Sequence, residues 1–117
     1  MTTSRWIVHR VDAVDIDYSN VLRRSAQDFG AIQAEIYAET ITLAIEALAV
    51  DGTAAIGAKE RKEIGVGIFT LHVARLGRKG SHFLVFRLID GNEVEILRIL
   101  HERMDLERHI SLESQQH

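Results

Sequence analysis

EVEILRILHERMDLERHI, residues 93–110, is the stretch that decides the fold. Val94, Ile96, Leu97, Ile99 and Leu100 put apolar side chains on both faces of an extended chain, the pattern of a strand inside a sheet and not at its edge. The character changes at His101. His101, Glu102, Arg103, Met104 and Asp105 form a polar knot where the strand ends, and residues 106–110 have the composition for one or two helical turns. A core strand that runs out into His, Arg, Met and Asp is the first place to look for function.

Upstream, Asp90-Gly91-Asn92 makes a tight turn back to an apolar run at 82–89, and Gly77-Arg78-Lys79-Gly80 has the chemistry of a hairpin joining that run to another at 68–76. The three runs read as an antiparallel meander. Before them, residues 51–67 hold four glycines and the cluster Lys59-Glu60-Arg61-Lys62-Glu63, a connection with room for one helical turn. Residues 31–50 are rich in Ala, Glu, Ile and Leu and predict a helix, with Tyr37, Ile41, Ala44 and Leu48 as its buried stripe. The neighbouring stripe of Ile32, Ile36, Leu43 and Ala47 is apolar as well, so this helix needs cover on more than one side. Another helix precedes it: Val14, Tyr18, Val21, Leu22 and Ser25 share one face, Asp12 with Asp15 is placed to cap the start, and Phe29-Gly30 closes the end. Two helices joined at one Gly predict an antiparallel hairpin. The chain opens with a β-branched and aromatic strand at 5–11. The expected architecture is α+β: strand, antiparallel helical hairpin, three-stranded antiparallel meander and a short C-terminal helical segment. One domain over 1–117 is expected, with its core at 5–110 and a fraying polar tail at 111–117.

At 117 residues, 46% hydrophobic and 26% charged, the chain suits a single core, and its net charge of −3 gives no global attraction to nucleic acid or to an anionic membrane. No specific DNA binding and no membrane partner are expected. Charge is nonetheless segregated, with seven Lys/Arg against Glu60 and Glu63 between Lys59 and Arg87, and a mostly acidic stretch from Asp12 to Asp51. There is no Cys, which removes disulfide and thiol chemistry, and no apolar run reaches spanning length or forms a signal core. A cytoplasmic protein is the expectation. Six His invite a metal, but none form a usable i, i+4 helical pair, so no metal and no cofactor are predicted. Gly65-x-Gly67-x-x-Thr70 precedes a strand instead of opening a helix and is not read as a dinucleotide site.

The element order, Phe29-Gly30, Ala34-x-x-Tyr37, the strand His82-Phe83-Leu84-Val85-Phe86-Arg87 and above all residues 96–110 resemble the ParE toxins of the RelE/ParE superfamily of toxin–antitoxin systems. The chain departs from the family in having Phe at 86, where Tyr is frequent, Phe69 where an Arg is frequent, and no Pro in the helix-to-sheet connection.

The resemblance implies a toxin neutralised by a ParD-like antitoxin, with DNA gyrase as target; the RelE branch instead cleaves mRNA on the ribosome. Metal-free RNA cleavage needs a base for the 2′-hydroxyl, an acid for the leaving oxygen and cations for the phosphorane. Phe86 offers no hydroxyl, and Tyr18 and Tyr37 both read as hairpin core. No catalytic residue is therefore assigned. His82, His101, Arg75, Arg87 and Arg98 are what a ribosome-dependent endonuclease would have to use, and a non-toxic relative that retains only antitoxin binding is the other alternative. On the gyrase reading, His101, Arg103, Met104, Asp105 and His109 are candidates for target contact. Arg75, Arg78, His82, Arg87 and Arg98 are candidates for the antitoxin, whose disordered segment is expected to fold on binding. For His101 the plain alternative is a bond to a backbone carbonyl at the strand end, and for the loop around Arg78 a charged turn kept for solubility.

Overall fold

The structure, a computed structural model, describes residues 5–104. In chain order the elements are β1 (Ile7–Arg10), α1 (Asp12–Phe29), α2 (Ala31–Asp51), a single 3-10 turn at Gly52–Ala54, β2 (Lys59–Glu60), β3 (Ile68–His72), β4 (His82–Asp90) and β5 (Glu93–His101). The strands form one sheet in the order β1-β5-β4-β3-β2, and β1 lies parallel to β5 while every other pair is antiparallel. The mixed α+β class and the meander of β3, β4 and β5 match the expectation, and β5 is an interior strand between β1 and β4.

Four expectations change. The connection before β3 contains β2, two residues paired at Lys59↔Thr70 and Glu60↔Phe69, which makes the sheet five-stranded; so short a strand has no periodicity to read. The run at 68–76 stops being strand at His72, because Leu76 and Gly77 take φ of 51° and 84°, and residues 73–81 form a long loop in place of a tight hairpin turn. Asp12 does not cap α1. Val11 holds that position with no side-chain hydrogen bond, and Asp12 and Asp15 lie in the first turn, where their charge meets the positive helix end. Tyr37 is half-buried, and Thr40 replaces it among the buried residues of α2 with Ile41, Ala44 and Leu48. The expected C-terminal helical segment at 106–110 lies outside the described residues.

The helical hairpin packs on one face of the sheet. Val14, Ile41, Ala44 and Leu48 meet Leu71, Leu84, Phe86, Val94, Ile96 and Ile99 there, and Tyr18, Val21 and Leu22 pack against them. Alternation along β4 sends Val85, between Leu84 and Phe86, to the opposite face, where it joins Leu100, Ile64 and Ile68. The hairpin itself turns on Gly30, whose φ of 94° is open to Gly at little cost. Gly52, at the end of α2, has a further reason to be Gly: a Cβ there would fall inside the indole of Trp6. The ring lies against that backbone, and the N–H groups of Arg5 and Trp6 both donate to Ala49 O at 3.0 Å. These contacts seat β1 beside β5.

Candidate functional site

β5 carries a bulge that shapes the site. Opposite Val85 stands Arg98 and opposite Phe86 stands Ile96, so Leu97 is an extra residue in the ladder. Asp17 of α1 is fastened at this point. Its carboxylate accepts from Arg98 Nε at 2.8 Å and Nη2 at 3.0 Å and from the Ile99 N–H at 2.9 Å. The bulge thereby turns a candidate cation inward, where it ties helix to sheet.

Past the bulge, β4 and β5 place His82 and His101 opposite one another, ring edge to ring face, with centroids 5.2 Å apart. His82 lies on the helix side. Tyr37 Oη accepts the Ser81 N–H at 2.9 Å, so its own proton is available to His82 Nδ1, 2.7 Å away. That arrangement needs a neutral imidazole with its hydrogen on Nε2. Burial, and secondarily the neighbouring His101, lowers the pKa of His82 from 6.5 to about 4, while burial raises that of Tyr37. His101 Nδ1 accepts the Arg103 N–H at 3.1 Å, so its bond at the strand end is to a backbone donor and not to a carbonyl. The backbone N–H of Glu102 closes the corner on Ser81 O at 2.8 Å.

A half-open cavity of about 720 Å³ lies in front of this pair, between the hairpin and the loop 77–81. Arg78 holds the loop in place. Its guanidinium donates to Thr40 Oγ1 at 2.9 Å, Ile36 O at 3.2 Å and Glu39 at 3.2 Å, so it is committed to α2. Gly80 fits under Tyr37 because it lacks a Cβ, which would stand 2.9 Å from Tyr37 Cε1 and 2.6 Å from Val73.

On the other sheet face, away from the helices, β3 and β4 set a second group. His72 Nε2 bonds Glu102 at 2.7 Å while its Nδ1 accepts the Ala74 N–H. The same ring meets Phe83 edge-on at 4.8 Å, and the Arg61 guanidinium stands 5.6 Å from the centre of Phe83. The His72 partner holds the Glu102 carboxyl below its usual range.

The candidates thus divide. His82, His101 and Arg78 share the cavity. Arg103 and Met104 follow His101 in the turn after β5, and Met104 is exposed. Arg75 reaches Ile56 O at 3.3 Å, and Arg87 pairs with Glu95 at 2.7 Å further along the sheet. Asp105 and His109 lie outside the described residues. Asp17 and His72 have no part in the sequence-based expectations; Tyr37 reads there as core, and Glu102 as one of the polar knot without a role of its own. The only signal for His72 is its place between Leu71 and Val73, two apolar residues of the opposite face.

These features define a class: small α+β domains in which a helical hairpin covers one face of a mixed sheet. The fold is similar to a solved structure described as the chromosomal ParDE TA system from P. aeruginosa, at 21% identity and a TM-score of 0.62, over 82% of this chain and 95% of that one. The chain belongs to the ParE toxin family, the toxins of the type II toxin–antitoxin system parDE, whose family model matches residues 15–106. No curated protein matches it. A ParDE system implies an antitoxin partner of the ParD kind. Among the described residues no helix is long and apolar enough to cross a membrane.

Proposed function

We infer that this ParE-family toxin is neutralised by a ParD-like antitoxin in the cytoplasm and acts on DNA gyrase without catalysing a reaction. The observation that carries the non-catalytic part is Phe86, fully buried and stacked on Phe69 at 5.5 Å. A hydroxyl at that position would face the core, not a substrate. The remaining candidates support the same reading. Tyr37 commits its proton to His82, and His82 and His101 are in ring contact, which leaves no space between them for a phosphate. Target contact is assigned to the end of β5 and the residues beyond it: His101, Arg103, Met104, Asp105 and His109. The antitoxin is assigned to the cavity side, with Arg78 and His82 at its rim; of the other candidates, Arg75 and Arg87 lie away from the cavity and Arg98 is held by Asp17.

The test is supercoiling by purified gyrase with this protein present, then with antitoxin added. Lost supercoiling and trapped cleaved DNA, reversed by antitoxin, is the expected result. Full supercoiling in the presence of folded protein would sink the gyrase assignment.

One observation favours a second reading, mRNA cleavage. His72 and Glu102 form a hydrogen-bonded acid–base pair beside Phe83 and Arg61, an aromatic and a cation on the sheet face opposite the hairpin. Cleavage of mRNA in a translating extract, lost in His72→Ala and Glu102→Gln, would establish it.

A further inference from the structure

Helix α2 buries Thr40, Ile41, Ala44 and Leu48 on its inner side and has a differently organised outer side. Ile32, Glu35, Ile36, Glu39, Leu43 and Glu46 are all exposed. At 3.6 residues per turn, Ile32, Ile36 and Leu43 fall within about 40° of one another, and Glu35, Glu39 and Glu46 form a second ridge about 60° round the helix. The apolar ridge is well exposed, at 74%, 46% and 40% for its three members. No Lys or Arg occurs anywhere in α2. Glu39 is paired with Arg78, whereas Glu35 and Glu46 have no ion pair among the described residues. On the other side of the apolar ridge the loop 77–81 lines the cavity together with Gln33, Tyr37 and Thr40, and it brings up Lys79.

We propose that this face seats an amphipathic helix of the antitoxin whose basic residues lie along one flank of its apolar stripe, the flank that meets Glu35 and Glu46. The proposal rests on the toxin–antitoxin reading above and adds the chemistry of the partner. Burial of three branched aliphatic side chains supplies the attraction, and the acidic ridge, lying to one side only, sets the direction in which the partner helix runs. A helix with acidic flanks on both sides is rejected by the same ridge. This chain's own α2 carries no Lys or Arg to meet that ridge, so the occupant is a different chain.

The test titrates the protein encoded beside this toxin into the wild-type chain, into Glu35→Lys/Glu46→Lys and into Ile36→Asp, by calorimetry at low and high salt, with circular dichroism to verify each fold. Wild-type binding that weakens with salt, a loss of roughly tenfold in the lysine variant together with a reduced salt dependence, and no measurable binding to Ile36→Asp are expected. Should the lysine variant misfold, Glu35→Gln/Glu46→Gln must show the same reduced salt dependence. Equal affinity across folded variants overturns the proposal while leaving the antitoxin reading intact. No binding even to the wild-type chain overturns both. A wild-type dimer in sedimentation that Ile36→Asp dissolves assigns the face to a second copy and overturns the proposal as well.

Discussion

Tyr37 and His82, from different layers of the molecule, are joined by a 2.7 Å hydrogen bond whose direction is fixed by a third group, the Ser81 N–H that already donates to the tyrosine oxygen. Removal of the phenolic oxygen in Tyr37→Phe leaves a backbone donor and an imidazole nitrogen without their partner. A loss of about 1–2 kcal/mol in urea unfolding is expected, with little change in cooperativity.

The same pair makes stability depend on pH. His82 binds its proton less readily in the folded chain, at about 4, than at its ordinary 6.5. Its neutral form is therefore favoured by folding. At pH above 6.5 it is neutral in both states and has no effect; as pH falls from 6.5 towards 4 the unfolded chain takes up the proton first and stability drops. Melting temperature followed across that window should fall more steeply for wild type than for His82→Gln. Identical slopes would remove His82 as the cause. Glu102 acts lower, because its depressed pKa gives stability that is lost as pH falls below 4.5.

Asp17 fastens the β5 bulge by three hydrogen bonds, two to Arg98 and one to the Ile99 N–H. Asp17→Ala strips the Ile99 amide of its acceptor and takes a carboxylate from a largely buried guanidinium, at a cost of about 2–3 kcal/mol. Exchange of the Ile99 amide with deuterium, measured by NMR, should speed up in step with that loss.

Gly52 combines a φ of 53° with an indole pressed against its α-carbon. In Gly52→Ala the Trp6 ring must leave its seat, and destabilisation of more than about 2 kcal/mol is expected, with a red shift of tryptophan emission. An unshifted emission maximum would show that the ring had not moved.

Much of this fold was legible because long elements repeat their pattern. Val14, Tyr18, Val21 and Leu22 announced one face of α1, and apolar residues on both faces of β5 announced an interior strand. The features that escaped were short or non-local. β2 has two residues, too few for any period. Asp17 reads as one more acid on an exposed helix until the bulge brings Arg98 and Ile99 to it. Tyr37 reads as core until Ser81 and His82 supply partners from the far end of a loop. Arg78 looks like a solubility charge on a turn, yet three acceptors on α2 hold it. In each of the last three cases the residue type was visible and its partner, more than thirty positions away, was not.

The parallel pairing of Ile7–Arg10 with the start of β5 has a consequence for synthesis. A chain emerging from its N-terminus can close the helical hairpin from local contacts almost at once, but β1 has no partner among the described strands until β5 is made. The sheet is thus sealed only once β5 has emerged. A ParE-family chain built in this order presents its helical hairpin before its sheet is closed.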